Sequence, residues 1–300
     1  MAAPIRVTLR AFAKINLDLA VLGSREDGYH ELRTLFQTLA LHDTVVVTRT
    51  RGPFGLSGDG ERMPLDESNL AWRAAHALWR AAGRSGEMRG AHIGIVKRIP
   101  SQAGLGGGSS DAAAALVGLN RIWRLGLSAA ALDQVARDLG ADVAFFLVGG
   151  TALGLGRGDE IYPLVDLPTW PVVLVWPESG VSSAEAYAWL DRGLAPKGGL
   201  SPLAMGGRRG PNILGLRAGT FNALSNDLQA SVEAHRPDIR DIRRALDDAG
   251  ARLARMSGSG SAVFGVFASE AGAARAARTL ARRGWRTLAT RTLARGRRLV

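Results

Sequence analysis

No cysteine occurs in the 300 residues. Its absence removes any disulfide frame, thiolate nucleophile or cysteine metal site, and it suits a reducing compartment. Long apolar runs are missing as well. None approaches the roughly 18 residues that a membrane-spanning helix needs, and Met1–Leu9 lacks the basic-then-apolar pattern of a secretory leader. A soluble, cytoplasmic protein with no membrane partner is therefore expected. The five histidines (His30, His42, His76, His92, His235) are scattered without H-E-x-x-H or metal spacing, so zinc chemistry is not expected. G-x-S-x-G is absent, which removes the hydrolase nucleophile elbow. No Gly-Lys pair occurs, which removes the G-x-x-x-x-G-K-[ST] phosphate loop.

Acid is missing from residues 271–300, which hold nine arginines and one aromatic, Trp285. Much of the net charge of +11 thus sits in one C-terminal block. Without interleaved aromatics the block is a poor single-strand nucleic-acid binder. A solvated helix face and tail is the expectation, with no nucleic-acid partner, and the basic balance suits a handler of phosphorylated small molecules.

What the chain does contain is the stretch Pro100-Ser101-Gln102-Ala103-Gly104-Leu105-Gly106-Gly107-Gly108-Ser109-Ser110-Asp111, running into the alanine-rich segment Ala112–Leu119. Four glycines in five positions permit positive φ and close backbone approach to a ligand. A helix start behind them offers unpaired N–H groups and about half a positive charge, so the combination reads as a phosphate site. The plainer reading is a turn with Ser109 as N-cap. G-x-G-x-x-G fails because Ser109 stands where the third glycine belongs, so backbone amides with the Ser109 and Ser110 hydroxyls are left to hold a nucleotide.

Alternation from Ile5 to Val21 predicts a strand that places Lys14, Asn16 and Asp18 on one polar face, with a bulge or break because of its length. Asp27-Gly28 reads as a turn, 43–50 as a strand and 52–65 as a Gly/Pro-rich loop. Helices are expected over 70–82, 112–119, 129–139, 237–249 and 270–283, and strands over 91–99, 170–176, 251–256, 262–267 and 285–293. Residues 193–219 have no periodicity and receive no structure. A domain boundary is expected near 161–167.

Phosphoryl transfer to an alcohol needs a nucleotide cradle, a cation and an acceptor for the hydroxyl proton. Asp142 is the candidate base and Lys14 the candidate cation. The plainer readings are an N-cap for Asp142, a solvated strand lysine for Lys14, loop packing for Tyr29 and His30, and a hairpin turn for Ser257–Ser261.

Pro100…Gly104–Ser110 resembles the second motif of the GHMP small-molecule kinases, and Ser257-Gly258-Ser259-Gly260-Ser261 their third. Ala13–Leu17, Asp27–Leu32 and Gly140–Val143 narrow the resemblance to members acting on a cytidyl diphosphate-linked methylerythritol in non-mevalonate isoprenoid synthesis. The resemblance implies an α+β, two-domain fold. A ribosomal S5 domain 2-like domain would span 1–162 and a ferredoxin-like domain 163–300, with the active site in the cleft between them. It further implies ATP with magnesium along Pro100–Ser110, and Asp142 as base with Lys14 as its partner. Asn16 would orient substrate, while Tyr29 and His30 would hold the cytosine. Ala144 stands where the family commonly has proline. The rival readings are another kinase of the superfamily, acting on homoserine or mevalonate, and an RNA-binding protein with an S5-like domain.

Overall fold

The computed structural model describes residues 5–59, 63–194 and 212–296. Its frame is a long hairpin, β1 (Arg6–Ser24) against β2 (His30–Pro53), turning at Asp27-Gly28. Gly28 sits at φ 81°, and the Tyr29 N–H bonds back to the Asp27 carboxylate at 3.1 Å, the two devices that let so short a turn close. β2 absorbs the strand expected over 43–50. On its other edge β2 pairs with β5 (Thr151–Gly156) and then with β4 (Arg89–Val96), and β6 (Glu160–Pro163) continues the sheet beyond β5. The stretch expected to be a loop over 52–65 contains a strand, β3 (Gly55–Gly58), parallel to β4. Glycine and proline hide it, because its partner lies more than thirty residues away and pattern reading sees only neighbours.

β1 is long but unbroken, and it carries register shifts at Phe12/Lys14, Asn16/Asp18 and Val21/Gly23. These shifts explain why odd residues serve different cores along one strand. Leu9 and Ala11 belong to a core shared with α1 (Leu70–Ala81), α2 (Gly107–Ile122), α3 (Ala129–Leu139) and α4 (Ala141–Val148). Past the first bulge, Ala13, Ile15 and Leu17 belong to a second core, against the other sheet. A one-residue slip exchanges the faces of a strand. Lys14, Asn16 and Asp18 are therefore buried, each 3% exposed, and do not form a solvated polar face.

The second sheet has the order β10 (Arg286–Arg291), β7 (Pro171–Trp176), β9 (Val263–Val266), β8 (Leu253–Met256). Buried residues of α5 (Ser183–Leu194), α7 (Gln229–His235), α8 (Pro237–Asp248) and α9 (Glu270–Ala281) close one of its faces. The other face joins Ala13, Ile15, Leu17, Leu35 and Leu39 of the hairpin to Val172, Leu174, Phe264 and Val266, with Ile99, Ala103 and Leu105 wedged among them. Burying Leu105 alone contributes about 2 kcal/mol, so the glycine-rich loop is anchored by the same core that joins the sheets.

Of the stretch 193–219 left without structure, 195–211 lies outside the described residues, while α6 (Ile213–Arg217) is a short helix capped by Asn212. The C-terminal arginines are not uniformly solvated. Arg295 is half-buried and donates to the carbonyls of Thr151 and Leu164, each at 2.9 Å. Arg297 and Arg298 lie outside the described residues.

Candidate active site

Side chains of Ala103 and Leu105 point into the inter-sheet core, and three successive carbonyls of the loop are held by the protein. Ala103 O accepts from the Ala262 N–H (3.1 Å), Gly104 O from the Ser257 hydroxyl (2.9 Å) and Leu105 O from the Lys14 N–H (3.0 Å). Gly104 and Gly106 adopt φ of 70° and 72°. A β-carbon on Gly104 would stand 2.1 Å from the Ser257 carbonyl oxygen, and one on Gly106 2.6 Å from the Phe146 ring. Most of the glycines are thus required by packing within the protein, and only Gly108 faces open space. α2 begins at Gly107 with Gly106 as its N-cap and no side chain bonded there. Asn69 and Ser128, by contrast, cap α1 and α3 with their side chains. The first amides of α2 are thus left without a side-chain acceptor, which favours an anion. Ser109 is the third helical residue, not the cap. Ser110 is fully buried, its Oγ without a partner, while Pro100 is half-buried and Ser101 and Gln102 are exposed.

Gly140 ends α3 and caps α4, so Asp142 falls in the first turn of α4 and is not an N-cap. Ala144 forms part of α4 and is fully buried, so the helix forms without a proline there. Lys14 Nζ lies 3.2 Å from Asp142 Oδ2 and donates to Asn16 Oδ1 at 2.7 Å. Its ammonium stands 5.5 Å from the centre of the Phe36 ring, an added cation–π contact. Lys14 is nearly sealed, whereas the Asp142 side chain keeps 32% exposure. Residues 128 positions apart thus meet with the carboxylate on the open side.

They meet at one end of a cleft of about 680 Å³ that also reaches Asn16, Gly104, Ser109, Gly258 and Ser259. Tyr29 and His30 line the same cleft. His30 is fixed twice. Its ring stacks on Tyr187 at 4.6 Å, and its Nε2 lies 2.9 Å from the Asp191 carboxylate, which can only accept, so Nε2 carries the proton. Tyr29 is exposed, with the Arg157 guanidinium 5.3 Å from its ring centre. Burial first, and the Asp142 charge second, raise the Tyr187 pKa, so its hydroxyl stays protonated. Pro100, Ser101, Gln102, Ala103, Leu105, Gly106, Gly107, Gly108 and Ser110 do not line this cleft.

Tyr187 and Asp191 escape the reading of the sequence because α5 does. A signal for it existed: Ser182-x-x-Glu185 is a capping box, with Ser182 N–H to Glu185 at 3.0 Å and Glu185 N–H to Ser182 Oγ at 3.2 Å. The buried triad behind the loop leaves no such signal. Lys97 bonds Asp43 and Asp111, while Asp43 also accepts the N–H groups of Arg98 and Ile99. Burial pushes the Asp111 carboxyl up to about 7, with Asp43 adding to the rise and Lys97 opposing it. Burial opposes the charge of Lys97 too, but Asp111 and Asp43 outweigh it and hold its pKa above that of an ordinary lysine.

Residues 69–150 match the GHMP kinases N terminal domain, and 212–286 match GHMP kinases C terminal. The chain is 43% identical over 290 residues to a 4-diphosphocytidyl-2-C-methyl-D-erythritol kinase of Moorella thermoacetica, covering 96% of this chain and 99% of that one. A solved 4-(cytidine 5'-diphospho)-2C-methyl-D-erythritol kinase superposes with a TM-score of 0.77 at 37% identity, over 95% of this chain and 99% of that one. A homoserine kinase from Cytophaga hutchinsonii, at 19% identity and TM-score 0.68 over 96% and 95%, shares the fold alone. Among the described residues no helix is long and apolar enough to cross a membrane. An α+β chain of two sheets, with a glycine-rich loop anchored between them and relatives matched along nearly its whole length, belongs to the GHMP kinases, and within them to the 4-diphosphocytidyl-2-C-methyl-D-erythritol kinase family.

Proposed function

We propose that this chain transfers the γ-phosphoryl group of ATP to the 2-hydroxyl of 4-diphosphocytidyl-2-C-methyl-D-erythritol. The observation that carries the reading is the Lys14–Asp142 pair at 3.2 Å, in a cleft lined also by Gly104 and Ser109 of the glycine-rich loop and by the rings of Tyr29, His30 and Tyr187. A pyrimidine needs aromatic faces, a diphosphate needs donors, and an acceptor alcohol needs a base; residues of all three kinds line the cleft. The division into an N-terminal domain (1–162) and a C-terminal domain (163–300) is part of the same reading, supported by β6 closing the first sheet at Pro163.

In this scheme Asp142 takes the proton of the acceptor hydroxyl as its oxygen bonds to the γ-phosphorus and the bond to the ADP oxygen breaks. Lys14 keeps Asp142 oriented and offers positive charge beside the transferring group, and Asn16 holds the acceptor. The uncapped amides at the start of α2, those of Gly107, Gly108 and Ser109, receive phosphate oxygens, the nucleotide reaching the cleft at Ser109, the one of the three that lines it. A base so placed is typically worth about 10²–10⁴ in rate. Among the described residues no group of three or more His, Asp or Glu stands ready to cage a metal. This fits magnesium, which keeps waters and phosphate oxygens and asks little of the protein. Of the oxygen-bearing side chains that line the cleft, Ser109 of the loop and Asp142 would hold the ion. Bound there, the ion would neutralise charge on the β- and γ-phosphates. Tyr29 and His30, which in this reading hold the cytosine, are what argues against the homoserine and mevalonate kinases of the superfamily. ATP turnover with the cytidyl substrate, wild type against Asp142→Asn, tests the reading. A loss of at least about a hundredfold is expected, and unchanged turnover would overturn it.

A further inference from the structure

Thr34 lies on β2 across the hairpin from the lysine-bearing stretch of β1, and it is 2% exposed. Nothing in the proposed chemistry needs it. Yet its hydroxyl makes two short bonds: it donates to the Asp18 carbonyl at 2.7 Å and accepts from Asn16 Nδ2 at 2.7 Å. A threonine hydroxyl has one proton, so donating to a carbonyl leaves only its lone pairs for Asn16. At the other end of the same amide, Asn16 Oδ1 receives the Lys14 ammonium, which has only donors. The amide is therefore oriented at both ends. Flipped, it would set NH₂ against an ammonium and make Thr34 abandon the Asp18 carbonyl. The oxygen face is crowded too, since a β-carbon on Gly258 would stand 3.1 Å from Asn16 Oδ1.

We propose that Thr34 is a positioning residue for phosphoryl transfer, its hydroxyl fixing Asn16 and, through Asn16, aiming the Lys14 ammonium at Asp142. The consequence for recognition is specific. With one N–H committed to Thr34, Asn16 keeps one N–H to give to an oxygen of the acceptor substrate, beside the second lone pair of an Oδ1 already bonded to Lys14. This inference rests on the proposed roles of Lys14 and Asp142.

Thr34→Val removes the hydroxyl while keeping the shape, and Thr34→Ser keeps the hydroxyl. Steady-state kinetics with ATP and the cytidyl substrate, together with equilibrium binding of ADP, separate the possibilities. The expected result is a fall in kcat of about ten- to a hundredfold for Thr34→Val, the range of a broken buried hydrogen bond, with ADP affinity within twofold and kcat of Thr34→Ser within about threefold of wild type. In an Asn16→Ala background Thr34→Val should cost nothing further, because the group it positions is gone. Wild-type kcat in Thr34→Val, an equal loss of ADP affinity, failure of serine to restore turnover, or an undiminished cost in the Asn16→Ala background would each overturn the proposal. Should Thr34→Val not fold, Thr34→Cys, with its weak donor, reads the same quantity. Lys14→Met with wild-type turnover would instead overturn the underlying reading, whatever Thr34 does.

Discussion

Ser257 and Gly104, 153 residues apart, hold each other from both sides: the serine hydroxyl donates to the Gly104 carbonyl at 2.9 Å, and the serine's own carbonyl fills the space where a Gly104 side chain would stand. One loop comes from the first sheet and the other from the β8–β9 connection, so their contact locks the floor of the cleft to both sheets. Gly104→Ala must find room against backbone and also bear φ of 70°. The left-handed backbone alone costs about 1–3 kcal/mol. Chemical denaturation should show a loss of at least about 2 kcal/mol, together with collapse of nucleotide binding. Gly108→Ala, where nothing lies within 4 Å, should leave stability within about 0.5 kcal/mol of wild type. Equal stability losses in the two variants would show that the loop contact does not hold.

The contrast marks how far the sequence was legible. Helix ends could be read where a cap residue acts on its own neighbours, as Asn69 and Ser128 do. The glycine-rich loop could be anticipated from its own residues, while the partnership of Lys14 with Asp142 comes from the resemblance to the GHMP kinases and not from any spacing. The bulge between Phe12 and Lys14 could be expected from strand length, but not its consequence, the transfer of alternate residues from one core to another. β3, the Lys97 triad and the Arg295 contacts rest on partners tens to more than a hundred residues away, and no local pattern records them.

Lys14→Met keeps the length and apolar stem of the side chain and removes the ammonium. It leaves Asp142 without its ion pair and Asn16 Oδ1 without its donor. Turnover should fall by about 10²–10⁴, while ATP affinity, which the proposed scheme assigns to the loop amides and not to this lysine, changes by less than about threefold. The check is kcat beside equilibrium nucleotide binding. Equal losses in both would make Lys14 a uniform binding residue and not one acting on the transition state.

The buried carboxyl of Asp111 gives stability a pH dependence of opposite sign to the common carboxylate case. In the folded protein it holds its proton up to about pH 7 because burial penalises the charge, whereas in the unfolded chain it loses it near 4. Between those values the folded state binds more protons, so this group's contribution to stability falls as pH rises from about 4 to 7 and is level above. Lys97 stays charged throughout that window, its pKa being raised, and adds no slope. Asp111→Asn removes the titrating group, so its stability relative to wild type should improve between pH 5 and pH 7.5. Denaturation midpoints of both proteins at the two pH values give the comparison, and a parallel pair of curves would count against the buried acid.

Arg295 ties the end of the chain to the strand that follows α4. Its guanidinium donates to Thr151 O and Leu164 O, its backbone N–H donates to Asp166 Oδ2 at 2.9 Å, and the same carboxylate accepts the Thr151 N–H through Oδ1 at 3.0 Å. With its side chain 35% exposed, the ion pair to Asp166 at 4.0 Å is weakened by solvent, and the bonds to carbonyls dominate. Arg295→Met should cost about 2 kcal/mol, the scale of charged hydrogen bonds lost from half-buried acceptors. Arg295→Lys should recover less than half, since a single ammonium cannot stand both where Nη2 bonds Thr151 O and Leu164 O and where Nε bonds Gly149 O at 3.4 Å. Arg282→Met, on the exposed end of α9, is the control and should stay within about 0.5 kcal/mol of wild type. If the Arg295 and Arg282 variants melt together, the C-terminal arginines form the uniform solvated block that composition suggests, and the tether to Thr151 carries no stability.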